Sequence, residues 1–295
     1  MTDHKTSSRW AGAAIPAVSA LAVSGVLAGL FYVWDAERVT AHYRKTAFSA
    51  LAEGDGDTAR VAAMRLLGKG ESQRNDALFL LAQAHLLAGN SAAAGSIWNL
   101  IAPDTEPVYA PAHLFLARRL SSAGDPTSQQ RAVRHAGFAR TLDPQSAEAW
   151  LLTGRAAIRQ RNWVAARESL EKAAALDPFA TFELLPVLRV LGDTKAENEW
   201  TRRAHLTFSE RIADRPTAEN WIGLARVHAE GGVFEKAREI LQGSPASAEV
   251  EVELEKLYER WARETSDLSS RRQIAREGLK RFPTNSVLGE AAETE

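Results

Sequence analysis

The chain has 295 residues, 25% of them charged, and 36 basic residues against 37 acidic ones leave a net charge of −1. That balance gives no basic field for nucleic acid and no acidic excess of the kind that marks a solvating tail. Cysteine is absent, which excludes disulfides, thiol catalysis and thiolate-bound metal.

Residues 1–9 form a polar tail containing Lys5 and Arg9. From Trp10 to Trp34 no residue is charged. At about 1.5 Å per helical residue such a run exceeds a hydrocarbon core of roughly 30 Å, so residues 10–34 are expected to be a single transmembrane helix. Trp10 at one end and Tyr32 with Trp34 at the other fit an interfacial aromatic belt. The rival reading is a cleaved signal peptide, with Ala20 and Ala22 as its small-x-small site. The most apolar stretch, Leu21 to Val33, follows that site, whereas a cleavable signal places it before. Gly25 and Gly29 share a helix face, the spacing that lets two membrane helices approach, and so mark a candidate homodimer contact. Lys5 and Arg9 nearly balance Arg38, Arg44 and Lys45 across the span. The expected topology, with the large domain outside the cytoplasm, rests on what is usual for such architectures. Asp35 to Leu51 lacks Pro and Gly, and helical spacing of Ala36, Val39, Tyr43 and Ala47 predicts an uninterrupted helix entering the next region.

Residues 35–283 repeat. From Ala147 to Ala180, Trp150, Gly154, Ala166, Leu170, Ala173 and Pro178 occupy positions 4, 8, 20, 24, 27 and 32 of a 34-residue unit. Ala132, Ala136, Ala139 and Pro144 stand 34 residues before Ala166, Leu170, Ala173 and Pro178. Further units carry Leu78, Ala82, Ala94 and Trp98; Trp221, Ala225, Ala237 and Leu241; and Tyr43, Ala47, Ala59 and Ala63. Two units are degenerate, one from Thr181 to Ala213 and one from Val252 to Pro283. Gly54-Asp55, Gly89-Asn90, Gly192-Asp193 and Gly231-Gly232 supply left-handed closing residues and N-caps between the paired helices. Residues 284–295 read as a C-terminal tail.

This pattern resembles the tetratricopeptide-repeat (TPR) family, with Thr153 and Ala157 departing from its usual Leu and Tyr at positions 7 and 11. The resemblance implies an all-α solenoid of about six to seven helix-turn-helix repeats that binds proteins. In each repeat, small residues at positions 8 and 20 let helix A and helix B touch, and bulky ones at 4 and 24 fill the space between repeats. The family lines its concave groove with helix A positions, here Phe79, Leu80, Gln83, Arg118, Leu151, Leu152, Arg155, Arg159, Ile222 and Arg226. Four arginines beside apolar groups suit an acidic or amphipathic peptide. The alternative is that they pair with Glu148 and Glu168. The Lys and Asn residues of the family's carboxylate clamp for chaperone tails are missing.

No catalytic constellation is present: no His-Glu-x-x-His, no phosphate loop, no Gly-x-Ser-x-Gly. Gly68-Lys69-Gly70 reads as a turn, and His85 and His228 as packing residues at repeat position 11. The expectation is therefore a membrane-anchored scaffold without enzyme activity, cofactor, metal or nucleic-acid partner. The second reading is an accessory subunit of a secretion, envelope-assembly or polysaccharide-export machine.

Overall fold

The computed structural model describes residues 37–293 except Gly124. The span expected over 10–34, with Gly25 and Gly29, lies outside the described residues, as does its junction with the first repeat. Among the described residues no helix is long and apolar enough to cross a membrane.

These residues are all helical or turn, with no strand among them. Helix α1 covers 37–53. It is followed by α2 (Gly56–Leu67), α3 (Arg74–Leu87), α4 (Ser91–Ile101) and α5 (Ala110–Ser121). Next come α6 (Pro126–Leu142), α7 (Ala147–Arg159), α8 (Trp163–Leu176), α9 (Thr181–Leu191) and α10 (Thr194–Asp214). The chain closes with α11 (Ala218–Glu230), α12 (Phe234–Gln242), α13 (Ala248–Glu264), α14 (Leu268–Arg281) and α15 (Ser286–Glu293). The odd-numbered helices up to α13 are helix A of successive pairs. Two compact units divide between Ala112 and His113.

Unit 1 is built on alanine. Ala47, Ala62, Ala63 and Ala77 pack with Leu66 and Leu80, and Ala50, Ala59 and Ala84 form a second close contact. Side chains of one carbon bring helix axes together, and the flanking Tyr43, Leu51 and Leu81 supply the apolar area. The turns follow the sequence reading. Gly54 and Gly89 have φ of 78° and 74°, and Asp55 and Asn90 accept the Thr58 and Ala93 amides at 2.9 and 3.1 Å.

Unit 2 repeats the scheme. Gly154 in α7 meets Leu170 in α8 so closely that a Cβ there would stand 2.6 Å from Leu170 Cγ. The register expected position 8 to meet position 20; here Leu170 at position 24 makes the tightest contact, with the carbonyl of Ala166 at position 20 at 3.6 Å. Gly223 of α11 lies in the same way under the Phe208 ring of α10, which is fully buried. Trp150 packs on the core shared by α7, α8 and α9, Arg140 of α6 lies over its ring, and its Nε1 donates to the Pro144 carbonyl at 2.9 Å. Pro178 opens a short 3-10 turn after α8, with Asp177 accepting the Phe179 amide. In the α7–α8 turn Arg161 takes the left-handed place that glycine holds elsewhere, at φ 55°.

One correction concerns the end of the chain. Residues 286–293, expected to be tail, form α15. Asn285 caps it by accepting the Leu288 amide at 2.9 Å and donates to Glu255 and Glu259 at 2.8 and 2.7 Å. Leu288 is fully buried in the last core with Tyr258 and Ala275. A repeat array exposes an apolar face at its last pair, and a short amphipathic helix covers it.

Candidate functional site

The candidate groove residues are divided between the two units. Phe79, Leu80 and Gln83 belong to unit 1 and the others to unit 2. Leu80, Leu152 and Ile222 are corrected from groove to core: Leu80 packs on Ala47 and Ala63, Leu152 on Ala117 and Ala136, and Ile222 in the cluster around Leu254. An apolar side chain on helix A gains more by facing the neighbouring helices than by lining a solvated surface. Leu151 is half-buried against the α8–α9 core. Phe79 sits edge-on to both Trp98 and Tyr109, at 5.8 and 6.0 Å between ring centroids. Beside it, Arg44 donates to Asp76 and Gln73, each at 2.5 Å. Tyr109 donates to Asp76, and burial together with that carboxylate pushes its hydroxyl pKa up. Gln83 is half-buried on α3.

In unit 2 three of the arginines do share a face, and each is occupied. Arg118 of α5 donates to Glu148 of α7, its Nε at 2.8 Å from Oε1. Arg155 of α7 forks onto Glu183 of α9, with Nε to Oε2 at 2.8 Å. Arg226 of α11 forks onto Glu253 of α13 with both distances 2.6 Å. Arg189 of α9 joins Glu230 of α11 at 2.9 Å, and Arg260 of α13 reaches the same carboxylate at 2.5 Å. A chain of ion pairs therefore links each A helix from α5 to α13 to the next. The pairing raises the Arg155 and Arg226 pKa values, the hydrogen bond that each donates to its partner glutamate being the main cause. The arginines remain open to solvent at 64, 45 and 39% for Arg118, Arg155 and Arg226, while Glu253 is only 14% exposed.

Arg159 stands apart. It is exposed at the C-terminal end of α7, where it lines a cleft with Ser121 at the end of α5 and the first half of α6.

The sequence reading missed Glu183, Glu230 and Glu253. The signal was available in their spacing: four of the five pairs are separated by 27 to 30 residues, slightly under one repeat, as expected for one A helix reaching one turn back on the next, while Arg189 and Glu230 stand 41 apart. It also missed His113 and His135, both fully buried, whose Nδ1 atoms are 2.8 Å apart between α5 and α6. His228 is half-buried against His205, and burial, with His205 and Lys236 nearby, lowers its pKa. Among the described residues no group of three or more His, Asp or Glu could hold a metal ion.

No curated protein matches the chain significantly. Among solved structures, a thermophilic TPR protein of Thermus thermophilus is 17% identical, with 74% of this chain and 98% of that one covered and a TM-score of 0.42. A tetratricopeptide repeat protein of Parabacteroides merdae is 14% identical, with 87 and 98% covered and a TM-score of 0.44. The pilF protein of Pseudomonas aeruginosa is 15% identical, with 87 and 97% covered and a TM-score of 0.46. At these values no partner or role is carried over from them. The sequence model of the tetratricopeptide repeat matches residues 45–109 and 116–181. The second stretch contains Gly154, Ala166 and Leu170, and the match supports the tetratricopeptide-repeat family for this chain.

Proposed function

We propose that this chain is a single-pass membrane scaffold whose repeats hold polypeptide partners on the face of the A helices in unit 2 and which catalyses no reaction. The membrane part rests on the sequence: 25 consecutive uncharged positions from Trp10 to Trp34 with aromatic residues at both ends. The repeats would lie on the extracytoplasmic side. The binding part rests on one observation, the row of ion pairs joining Arg118 to Glu148, Arg155 to Glu183 and Arg226 to Glu253, in which every arginine stays open to solvent. Exposed pairs of this kind contribute about 0–1 kcal/mol each, so a partner bearing charges of its own can exchange with them at little cost. A partner with both signs of charge at one-repeat intervals fits that row.

The test uses the full chain in detergent. Replacing Arg118, Arg155 and Arg226 together with Ala should reduce capture of a partner in a salt-dependent way with helicity intact. Loss of capture from changes on helix B instead, for example at Lys172 and Glu168, would move the binding face. Alkaline extraction of membranes checks the anchor: the chain should remain with the lipid, and deletion of residues 10–34 should release it.

A further inference from the structure

The A-helix arginines of unit 2 are of two kinds. Arg118, Arg155 and Arg226 are each held by a carboxylate of the next A helix. Arg159 is one helical turn beyond Arg155, and among the described residues no carboxylate pairs with it. A guanidinium left with water is the group of this helix most ready to take an anion from outside.

Its surroundings narrow the choice of anion. Arg159 lines a cavity of about 370 Å³ with Gln129 and Gln130 of α6 and Gln160 at the end of α7. Val133 and Ala156 give it an apolar floor. Arg159 carries the only formal charge in the described lining. Asp125, next in the chain to the lining residue Pro126, is committed to capping α6: it accepts the Ser128 amide at 2.8 Å, and hydrogen bonds from Ser128 hold its carboxyl below the usual range.

Each glutamine amide offers donors and an acceptor, the set that a peptide backbone needs. The floor suits a short aliphatic side chain, and the volume is at the low end of the range for small-ligand sites. One guanidinium forks onto one carboxylate and balances a single negative charge, which favours a carboxylate over a doubly charged phosphate. We infer that this cleft, where the first half of α6 meets the end of α7, is a second polypeptide-binding site that seats an Asp or Glu side chain on Arg159 and its flanking backbone on the three glutamines. This inference deepens the proposed function by naming the ligand chemistry, and it takes from that reading only that the partner is a polypeptide. The site lies off the row of ion pairs, so an acidic segment can bind there without displacing any of them.

The experiment uses the full chain in lipid nanodiscs and two short probes, acetyl-Ala-Glu-Ala-amide and acetyl-Ala-Gln-Ala-amide, with binding read by saturation-transfer NMR. The acidic probe should bind about tenfold more tightly, the difference expected for one charge-assisted hydrogen-bond pair. Arg159→Gln should abolish that preference with an unchanged helical spectrum, and Arg155→Gln should retain it. Equal binding of the two probes, no binding of either, or a preference that survives Arg159→Gln would overturn the inference. Loss of the preference with Arg155→Gln alone would place acid recognition on the ion-pair row, overturning the second site while leaving the proposed function standing.

Discussion

His113 of α5 and His135 of α6 face each other inside unit 2 with their Nδ1 atoms 2.8 Å apart and both side chains fully buried. One ring must donate and the other accept, so the pair fixes opposite tautomers at the two Nδ1 positions. Phe138 packs edge-on against His113 and excludes water from that side. Replacing His113 alone with Phe should cost about 1–3 kcal/mol, because the Nδ1 of His135 loses this partner in a buried place. The double replacement with apolar residues should cost less than the sum of the two single ones. Thermal unfolding of the four proteins in the cycle measures the difference.

The glycines offer a sharper contrast. Gly154→Leu should destabilise by about 1–3 kcal/mol by driving α7 from α8, since even a Cβ collides with Leu170. Gly223→Ala should do comparable damage against Phe208. Gly137→Ala in α6 meets nothing within 4 Å, and should stabilise by about 0.4–1 kcal/mol through the lost freedom of the unfolded chain. If all three variants unfold at the temperature of the parent, the helix-pair register is wrong.

Acid should weaken the cap of α14. Asp267 caps α14, accepting the Ser270 amide and the Ser269 hydroxyl, each at 2.7 Å, and these bonds lower its pKa from 3.8 to about 2. The folded value lies below the unfolded one. The capping contribution is therefore complete above about pH 4 and is lost as the pH falls towards 2. Asp267→Asn keeps a capping oxygen but removes the charge, so it should flatten that part of the pH profile. Hydrogen exchange of the α14 amides over this range is the direct readout.

Arg226 and Glu253 test how much the forked geometry matters. Lysine keeps the charge but cannot form two parallel hydrogen bonds, so Arg226→Lys should cost about 1 kcal/mol. Glu253 is the more buried partner, and Glu253→Gln should therefore cost at least as much as Arg226→Lys. Raising the salt concentration should shrink both differences.

The helix pairs were legible in the sequence because close packing of antiparallel helices leaves a mark in residue size: only glycine fits where Gly154 stands, and the fully buried Ala166 facing it is a single carbon larger. The turns were legible because a left-handed residue followed by a capping side chain uses few residue types, as at Gly192 and Asp193. Helix α15 was not, since its eight residues offer only Val287 and Leu288 as large apolar groups, too few to display a period. The site was legible only in part. Family positions located the A-helix surface, but a position number does not say which way a side chain leans, and Leu80, Leu152 and Ile222 turn towards neighbouring helices. Nor did it show that Arg155 would find Glu183, a contact between helices two elements apart. His113 and His135 fall in the same class, joined only by tertiary packing.

The row of charge pairs has a mechanical consequence. Every junction from α5 to α13 is bridged by at least one exchangeable ionic contact on the A side. Hydrophobic packing between the repeats hardly responds to dilute electrolyte, whereas these bridges lengthen or open as ions screen them. The A side of unit 2 should thus behave as a spring whose stiffness falls with ionic strength, laid along a backing that stays rigid. The reach of the unit when it grips a partner would then be set by the medium around it as well as by the sequence.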